Sequence, residues 1–373
     1  MTPASRLALF APSFDRGGVE RMLAQLARGL ADRGLAVDLV MNRRSAHYLA
    51  DLPDRVRVVE LLALADRPLA GAVAYLRETR PAVLLSSKDE NNALALAARR
   101  QAGVDTQVWL RAAIAESSRV AGQLFWKRWQ SYRRMRRLYR EADGVIAVSR
   151  DLARDVAEIT GLPVERIQVA HNPVVTPEMF ELAARPVPHA WLEAAEVPVI
   201  LGIGRLARVK NFALLIEAFA RLRAERPCRL ILLGEGRERS RLEALAARRG
   251  VAGDLALPGF VDNPYAFLAR ARLFVSSSLS EGSPNALAEA LALGVPVVST
   301  DCLSGPREIL QEGRYGPLVP VNDAEALAGA MRATLDQPLP PEVLRAAVAD
   351  YTRDGSAREY ARILGLTAGG DES

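Results

Sequence analysis

The stretch Ala271-Arg-Leu-Phe-Val-Ser-Ser-Ser-Leu-Ser-Glu-Gly-Ser-Pro-Asn-Ala-Leu-Ala-Glu-Ala-Leu-Ala-Leu293 decides how the chain folds. Its apolar start reads as a buried strand. Residues 284–293 read as a helix with proline in the first turn. Glu281 therefore lies in the loop at the carboxyl end of a strand, and Glu289 about one turn into the next helix. In open α/β sheets, ligands bind at that edge. Two carboxylates there can accept hydrogen bonds from vicinal hydroxyls, such as those of a sugar or a ribose. The free amides of a helix start can hold a phosphate between them. Glutamates with this spacing are common on solvated faces, but the helix around Glu289 is otherwise apolar. A carboxylate buried there needs a partner.

Working outward, Pro198-Val-Ile-Leu-Gly-Ile-Gly-Arg-Leu-Ala-Arg-Val-Lys-Asn211 runs from a strand through a glycine turn into a helix. The glycines let backbone approach a ligand. Arg205 and Lys210 place two cations at the same edge, which suits a diphosphate leaving group whose charge grows during transfer. Their bland alternative is a pair of surface ion-pair formers. Gly202-x-Gly204-x-x-Ala207 also fits a dinucleotide fingerprint, but no acid ends the next strand about twenty residues on, which disfavours a nicotinamide cofactor.

The same strand–helix alternation fills the chain. Strand candidates at 7–11, 35–41, 56–62, 83–86, 107–110, 144–147 and 167–170 precede a proline-rich stretch. A second set follows at 199–203, 229–233, 256–257, 273–276, 295–299 and 317–319. Alternation implies parallel sheets with helices on both faces. We expect a first domain over 1–172, a linker over 173–197, a second domain over 198–350, and a terminal segment over 351–373. The tail from Thr367 to Ser373 reads as disordered.

At 373 residues the chain suits two domains rather than one core. The formal charge of +5 favours an anionic partner. Cys228 and Cys302 read as reduced packing residues, in keeping with a cytoplasmic setting. The apolar start 7–11 is too short for a signal peptide, and no run approaches a membrane span. Three scattered histidines and two unpaired cysteines give no metal-ligand set, so no metal or other cofactor is expected.

These segments, in this order, resemble the retaining glycosyltransferases of family 4, which have the two-domain GT-B fold. The resemblance starts at Pro12-Ser-Phe-Asp-Arg-Gly-Gly-Val-Glu-Arg21 and includes Asn172-Pro-Val and Gly202-Ile-Gly-Arg. It continues through Leu233-Gly-Glu-Gly, Pro258-Gly-Phe-Val-Asp-Asn, the Glu281/Glu289 pair and Ser304-Gly-Pro-Arg-Glu-Ile-Leu. It implies an α/β fold of two Rossmann-like domains facing across a cleft, the first for the acceptor and the second for a nucleotide sugar. The last helix, 357–364 with Tyr360 as anchor, would cross back to the first domain.

By this resemblance Glu289 binds the donor ribose and Glu281 the transferred sugar, while Arg205 and Lys210 stabilise the leaving diphosphate. The amides of Asn285, Ala286 and Leu287 serve that diphosphate. The Gly17-Gly18 loop faces the donor phosphates, and the Val261 backbone lies near the base. Many family members carry a histidine after the strand that here reads Val-Trp-Leu. This chain has Arg111-Ala-Ala, so Arg111 is the candidate to occupy the cleft, with a structural salt bridge as its alternative.

The segment Gln123–Glu141 is basic and aromatic. At 100° per residue Phe125, Trp129, Tyr132, Met135 and Tyr139 gather on one side, and Lys127, Arg133, Arg134, Arg137 and Arg140 on the other. Docking on an anionic membrane and a core-facing stripe both fit. No nucleic-acid-binding motif accompanies them. The expected activity is metal-independent hexosyl transfer from a UDP-sugar, with GDP-mannose second, to a glycan or lipid-linked acceptor. A GT-B-fold epimerase and a non-catalytic nucleotide-sugar binder stay open.

Overall fold

The computed structural model describes residues 6–14, 17–43, 49, 52–120, 122, 124–194 and 197–366. The expected disordered tail 367–373 and the first residue of the basic segment, Gln123, lie outside these. The chain divides into two units, residues 1–174 with 350–373, and residues 175–349.

The first unit is built on β1 (Leu7–Phe10), β2 (Val37–Met41), β3 (Val56–Glu60), β4 (Val83–Ser87), β5 (Gln107–Ala112), β6 (Gly144–Ala147) and β7 (Ile167–Val169). They form one sheet in the order β3-β2-β1-β4-β5-β6-β7, with Leu7 opposite both Val37 and Val83. All pairings are parallel. Strands β1, β2 and β4 are buried along their whole length, as near-continuous apolar runs in a helix-covered sheet must be. One face packs Phe10, Leu84 and Leu110 against Tyr75, Met135 and Tyr139. The other packs Leu7, Leu9 and Leu39 against Leu23, Leu30 and Tyr360.

Tyr360 belongs to the last helix, Arg353–Ile363, which lies on the Gly18–Asp32 helix. Gly29 permits this contact, since a Cβ there would meet that of Ala357 at 2.9 Å. The Arg353–Ile363 helix is thus part of the first unit.

The second unit contains β8 (Val199–Ile203), β9 (Arg229–Leu233), β10 (Leu255–Gly259), β11 (Leu273–Ser276), β12 (Val297–Thr300) and β13 (Leu318–Val319). Their order is β10-β9-β8-β11-β12-β13, again all parallel. Ile200, Leu230, Leu273 and Val298 form a core with Leu215, Phe219, Leu327 and Met331.

The stretch 173–197 differs from the expected linker. Pro177 starts a helix, Pro177–Ala184, whose N-terminus is capped by Thr176, and Ala190–Ala194 forms another. The carbonyls of Leu182 and Ala183 accept hydrogen bonds from Asn263 and Arg270, at 2.8 and 3.1 Å. Pro177 takes a first helical position, while Pro173, Pro186 and Pro188 lie in the connections between elements. From Val175 on, the segment belongs to the second unit. Strand β3 also stops at Glu60, short of the expected Leu62, because Leu61–Leu64 turns into a helix.

One buried carboxylate braces the first sheet. Asp38 on β2 is wholly buried and accepts from Arg6 at 2.6 Å, from both Nε and Nη2 of Arg57 at 3.1 and 2.7 Å, and from the Tyr75 hydroxyl at 2.7 Å. Burial, then the Asp38 charge, push the Tyr75 phenol well above its usual range. Asp38→Ala strips charged hydrogen bonds and orphans the Tyr75 hydroxyl. It should cost about 2–3 kcal/mol, read as a lower urea midpoint for the first unit; an unchanged midpoint would contradict the brace.

Candidate active site

The order of the second sheet reverses between β8 and β11, so the loops after those strands leave toward opposite faces and open a crevice at their carboxyl ends. Lys210 comes from the loop after β8 and Glu281 from the loop after β11. The structure joins them in an ion pair through Lys210 Nζ and Glu281 Oε1. Ser278 donates to the same carboxylate oxygen, and Ser277 Oγ donates to the Lys210 carbonyl at 2.9 Å. Lys210, Glu281, Ser276, Ser278 and Ala286 line a small cavity of ≈ 20 Å³, room for about one water molecule.

The loops are cross-linked by backbone. The Leu279 amide donates to Val209 O at 2.8 Å, and the Glu281 amide to Leu303 O at 3.2 Å. Asn211, in the left-handed region at φ 47°, ends the 3₁₀ turn Arg208–Lys210 and starts the Phe212–Glu225 helix. Ser304 Oγ donates to Gly282 O at 2.9 Å, and Thr300 Oγ1 to Ser278 O at 2.6 Å. Ser276, Ser277 and Ser278 are all buried. Sequence reading missed their role, although three consecutive serines ending an apolar strand were a signal.

Arg205 is exposed on the turn after β8. That turn is held by the Leu233-Gly-Glu-Gly loop. The amides of Gly204 and Leu206 donate to the carbonyls of Leu233 and Glu235, at 3.0 and 2.9 Å. A Cβ on Gly234 would lie 2.0 Å from Gly204 O, and one on Gly236 2.2 Å from Leu206 O. Both glycines exist for this approach of two main chains.

The helix Asn285–Ala292 begins beside the ion pair, and Glu289, one turn in, is 1% exposed. Of the three amides expected to face phosphate, that of Leu287 donates to Pro284 O at 2.9 Å, so its own turn engages it. Cys302 is buried nearby, and burial, reinforced by the Glu281 charge, pushes its thiol up to about 12. Val261, half-buried, follows β10 at the outer strand of the same edge. Of the expected site residues, Lys210, Glu281, Ala286 and Leu287 line one small cavity, while Arg205 lies on the exposed turn after β8 and Asn285 and Glu289 lie on the adjoining helix. Among the described residues, no three or more His, Cys, Asp or Glu cluster to hold a metal.

Gly17 and Gly18 lie in the first unit, where they open the Gly18–Asp32 helix. The expectation for Arg111 is corrected. It is 2% exposed, donates Nε to the Tyr360 hydroxyl at 2.9 Å, and reaches Asn172 Oδ1 through Nη2. Among the described residues its side-chain partners are a hydroxyl and an amide rather than a carboxylate. Its position on β5 turns it onto the face covered by the last helix. His171 stacks on Tyr351 at 4.5 Å beside this connection.

The basic helix runs from Phe125 to Glu141, and the aromatic stripe splits along it. Met135 and Tyr139 are buried in the core, with Tyr132 packed against it. Leu124, Phe125, Trp126 and Trp129 are 53–75% exposed. Lys127 lies over the Trp126 ring at 5.2 Å and Arg133 over Trp129 at 5.4 Å.

Two family models match the chain, one to each half: Glycosyltransferase Family 4 over residues 16–177 and Glycosyl transferases group 1 over 197–337. Solved structures agree on the fold. Anabaena Alr3699/HepE in complex with UDP and glucose is 18% identical, with a TM-score of 0.79 over 97% of this chain and all of that one. The lipopolysaccharide outer core galactosyltransferase WaaB is 17% identical, with a TM-score of 0.71 and the same coverage. The fold is GT-B. The chain belongs to the group 1 glycosyltransferase family.

Among curated relatives, the N-acetylgalactosamine-N,N'-diacetylbacillosaminyl-diphospho-undecaprenol 4-alpha-N-acetylgalactosaminyltransferase of Campylobacter jejuni is 31% identical over 199 residues, 53% of this chain and 52% of that protein. The lipopolysaccharide core biosynthesis glycosyltransferase LpsE of Rhizobium meliloti is 36% identical over 168 residues, 45% of this chain and 47% of that protein. The chain spans about half the length of these relatives.

The glycine mesh gives a direct test. Gly234→Ala, at φ 138° and against the Gly204 carbonyl, should cost well over about 1 kcal/mol. Gly250→Ala, at φ 71° in open space, should cost only about 1 kcal/mol. Thermal denaturation compares the pair, and equal melting temperatures would contradict the close approach.

Proposed function

We propose that this chain transfers a sugar from a nucleoside diphosphate to a hydroxyl of a glycan or lipid-linked acceptor, in polysaccharide or lipopolysaccharide synthesis. The observation that carries this is the Lys210–Glu281 pair across the switch point of the second sheet, with Glu289 buried in the adjoining helix. The names of the Campylobacter and Rhizobium relatives support the transfer and its setting. The UDP and glucose in the HepE structure support a UDP-sugar ahead of GDP-mannose.

In this reading the acceptor oxygen bonds to the anomeric carbon on the face from which the diphosphate departs, so configuration is retained. The bond from that carbon to the diphosphate oxygen breaks. The acceptor proton passes to the leaving diphosphate, and no metal takes part. Lys210 and Arg205 balance the charge that develops on the leaving group. Glu281 accepts from hydroxyls of the moving sugar, and Glu289 from the ribose. Arg205→Ala and Lys210→Ala should each lower kcat by about 10²-fold or more, measured as product mass from UDP-sugars and GDP-mannose with lipid extracts as acceptors. Turnover near that of the parent in either variant would remove the diphosphate assignment.

The exposed start of the Phe125–Glu141 helix is the surface we assign to the membrane's inner face. Leu124, Phe125, Trp126 and Trp129 sit among Lys127, Arg128, Arg133, Arg134 and Arg137, all exposed. Aromatic rings suit the headgroup level, and each cation near an anionic bilayer contributes about 1 kcal/mol. Changing Arg133, Arg134 and Arg137 to Glu should abolish pelleting with anionic liposomes at low salt. Parent protein that stays in the supernatant would end this part of the reading.

A further inference from the structure

We propose that the first unit carries its own anion site, built on Lys88 and Glu20, which takes the phosphate of a phosphorylated acceptor. The proposal rests on the transferase reading. The first sheet reverses its order between β1 and β4. Glu20 lies in the first turn of the helix that follows β1, and Lys88 immediately follows β4. Their side chains form an ion pair through Lys88 Nζ and Glu20 Oε1. Each unit thus spans its own switch point with a lysine–glutamate pair, and the acid and base exchange strands between units: Glu20 after β1 and Lys88 after β4, but Lys210 after β8 and Glu281 after β11.

The pair is asymmetric. The Glu20 side chain is 9% exposed and that of Lys88 41%. The carboxylate folds back to where a Cβ on Gly17 would stand, 2.2 Å from its Oε2, so glycine at 17 makes room for it. The ammonium is the half that faces solvent. It has three N–H groups and spends one on Glu20. Lys88 also holds φ at 77°, in the left-handed region that a residue with a Cβ rarely adopts. Glycine would occupy that backbone more easily, so a lysine there marks a demand for its side chain.

The acids Asp89 and Glu90 follow Lys88 in the chain, but donors flank it as well. Ser87 Oγ and Asn91 Nδ2 are buried without a hydrogen-bond partner among the described residues. The helices Gly18–Asp32 and Asp89–Ala102 both begin at this point. A half-exposed lysine where two helices start, with unpaired buried donors on residues next to it in the chain, matches phosphate oxygens, which only accept.

The probe is inorganic pyrophosphate, titrated calorimetrically into the full chain. The parent should show two binding events, and Lys88→Gln should lose one of them. The event that remains in Lys88→Gln should be displaced by UDP, and Lys88→Arg should keep both. A Lys88→Gln protein that keeps both events, or a parent with only the UDP-displaceable one, overturns the proposal. If UDP displaces neither event, the donor-site reading falls while the loss in Lys88→Gln still supports this site. Farnesyl diphosphate in detergent and glucose 1-phosphate then compete for the event lost in Lys88→Gln. Displacement by the first assigns a lipid-held acceptor, and by the second a soluble one. Displacement by neither overturns the acceptor assignment.

Discussion

Parallel pairing throughout both sheets forces every strand to be followed by a crossover, so the loops that can carry chemistry leave from one edge. That constraint fixes where a charged pair can form. At the switch point, neighbouring strands send their loops to opposite faces, and side chains from two distant stretches meet over the gap. Lys210 and Glu281 are 71 positions apart, yet their separation in space follows from strand order alone. The same geometry places a helix start beside them, where backbone amides add positive potential.

Holding such a pair at a sheet edge requires stiffness. The Lys210 and Glu281 side chains are 26% and 11% exposed, so both are partly desolvated. Serines on the rim supply the hydrogen bonds that water would have supplied. Around them, the loops after β8, β9, β11 and β12 donate amides to one another's carbonyls. Rigid loops of this kind fix charges before a ligand arrives, which is the condition for electrostatic stabilisation without reorganisation.

Much of this was legible in the sequence. The order strand, loop, helix around Glu281 and Glu289 follows from an apolar run, a glycine, a proline and an apolar helix, each a local signal. The sheet alternation is legible for the same reason. What was not legible depended on non-local contacts. The prolines of 173–197 signal a linker and a helix start equally, and only the partners Asn263 and Arg270 decide. The aromatic residues of the basic helix share one period, but the core extends only as far as Tyr132. Arg111 is a charge in a strand, and its hydrogen bond to Tyr360 spans 249 positions. Lys88 gave no signal, because a left-handed lysine looks in sequence like any loop lysine.

The returning terminal helix has a consequence for how the protein is made. Ala357, Tyr360 and Leu364 complete a core that also contains Leu7, Leu23 and Leu30. On the ribosome, the Gly18–Asp32 helix must wait with its outer groove bare while residues 175–349 are synthesised. At about 5–20 residues per second, that interval is roughly ten to forty seconds. A nascent chain in this state exposes an apolar groove shaped for an amphipathic helix, which a chaperone can cover. Early termination before Tyr360 would leave that groove open for good, so translation to the last turns is a condition for a soluble first unit.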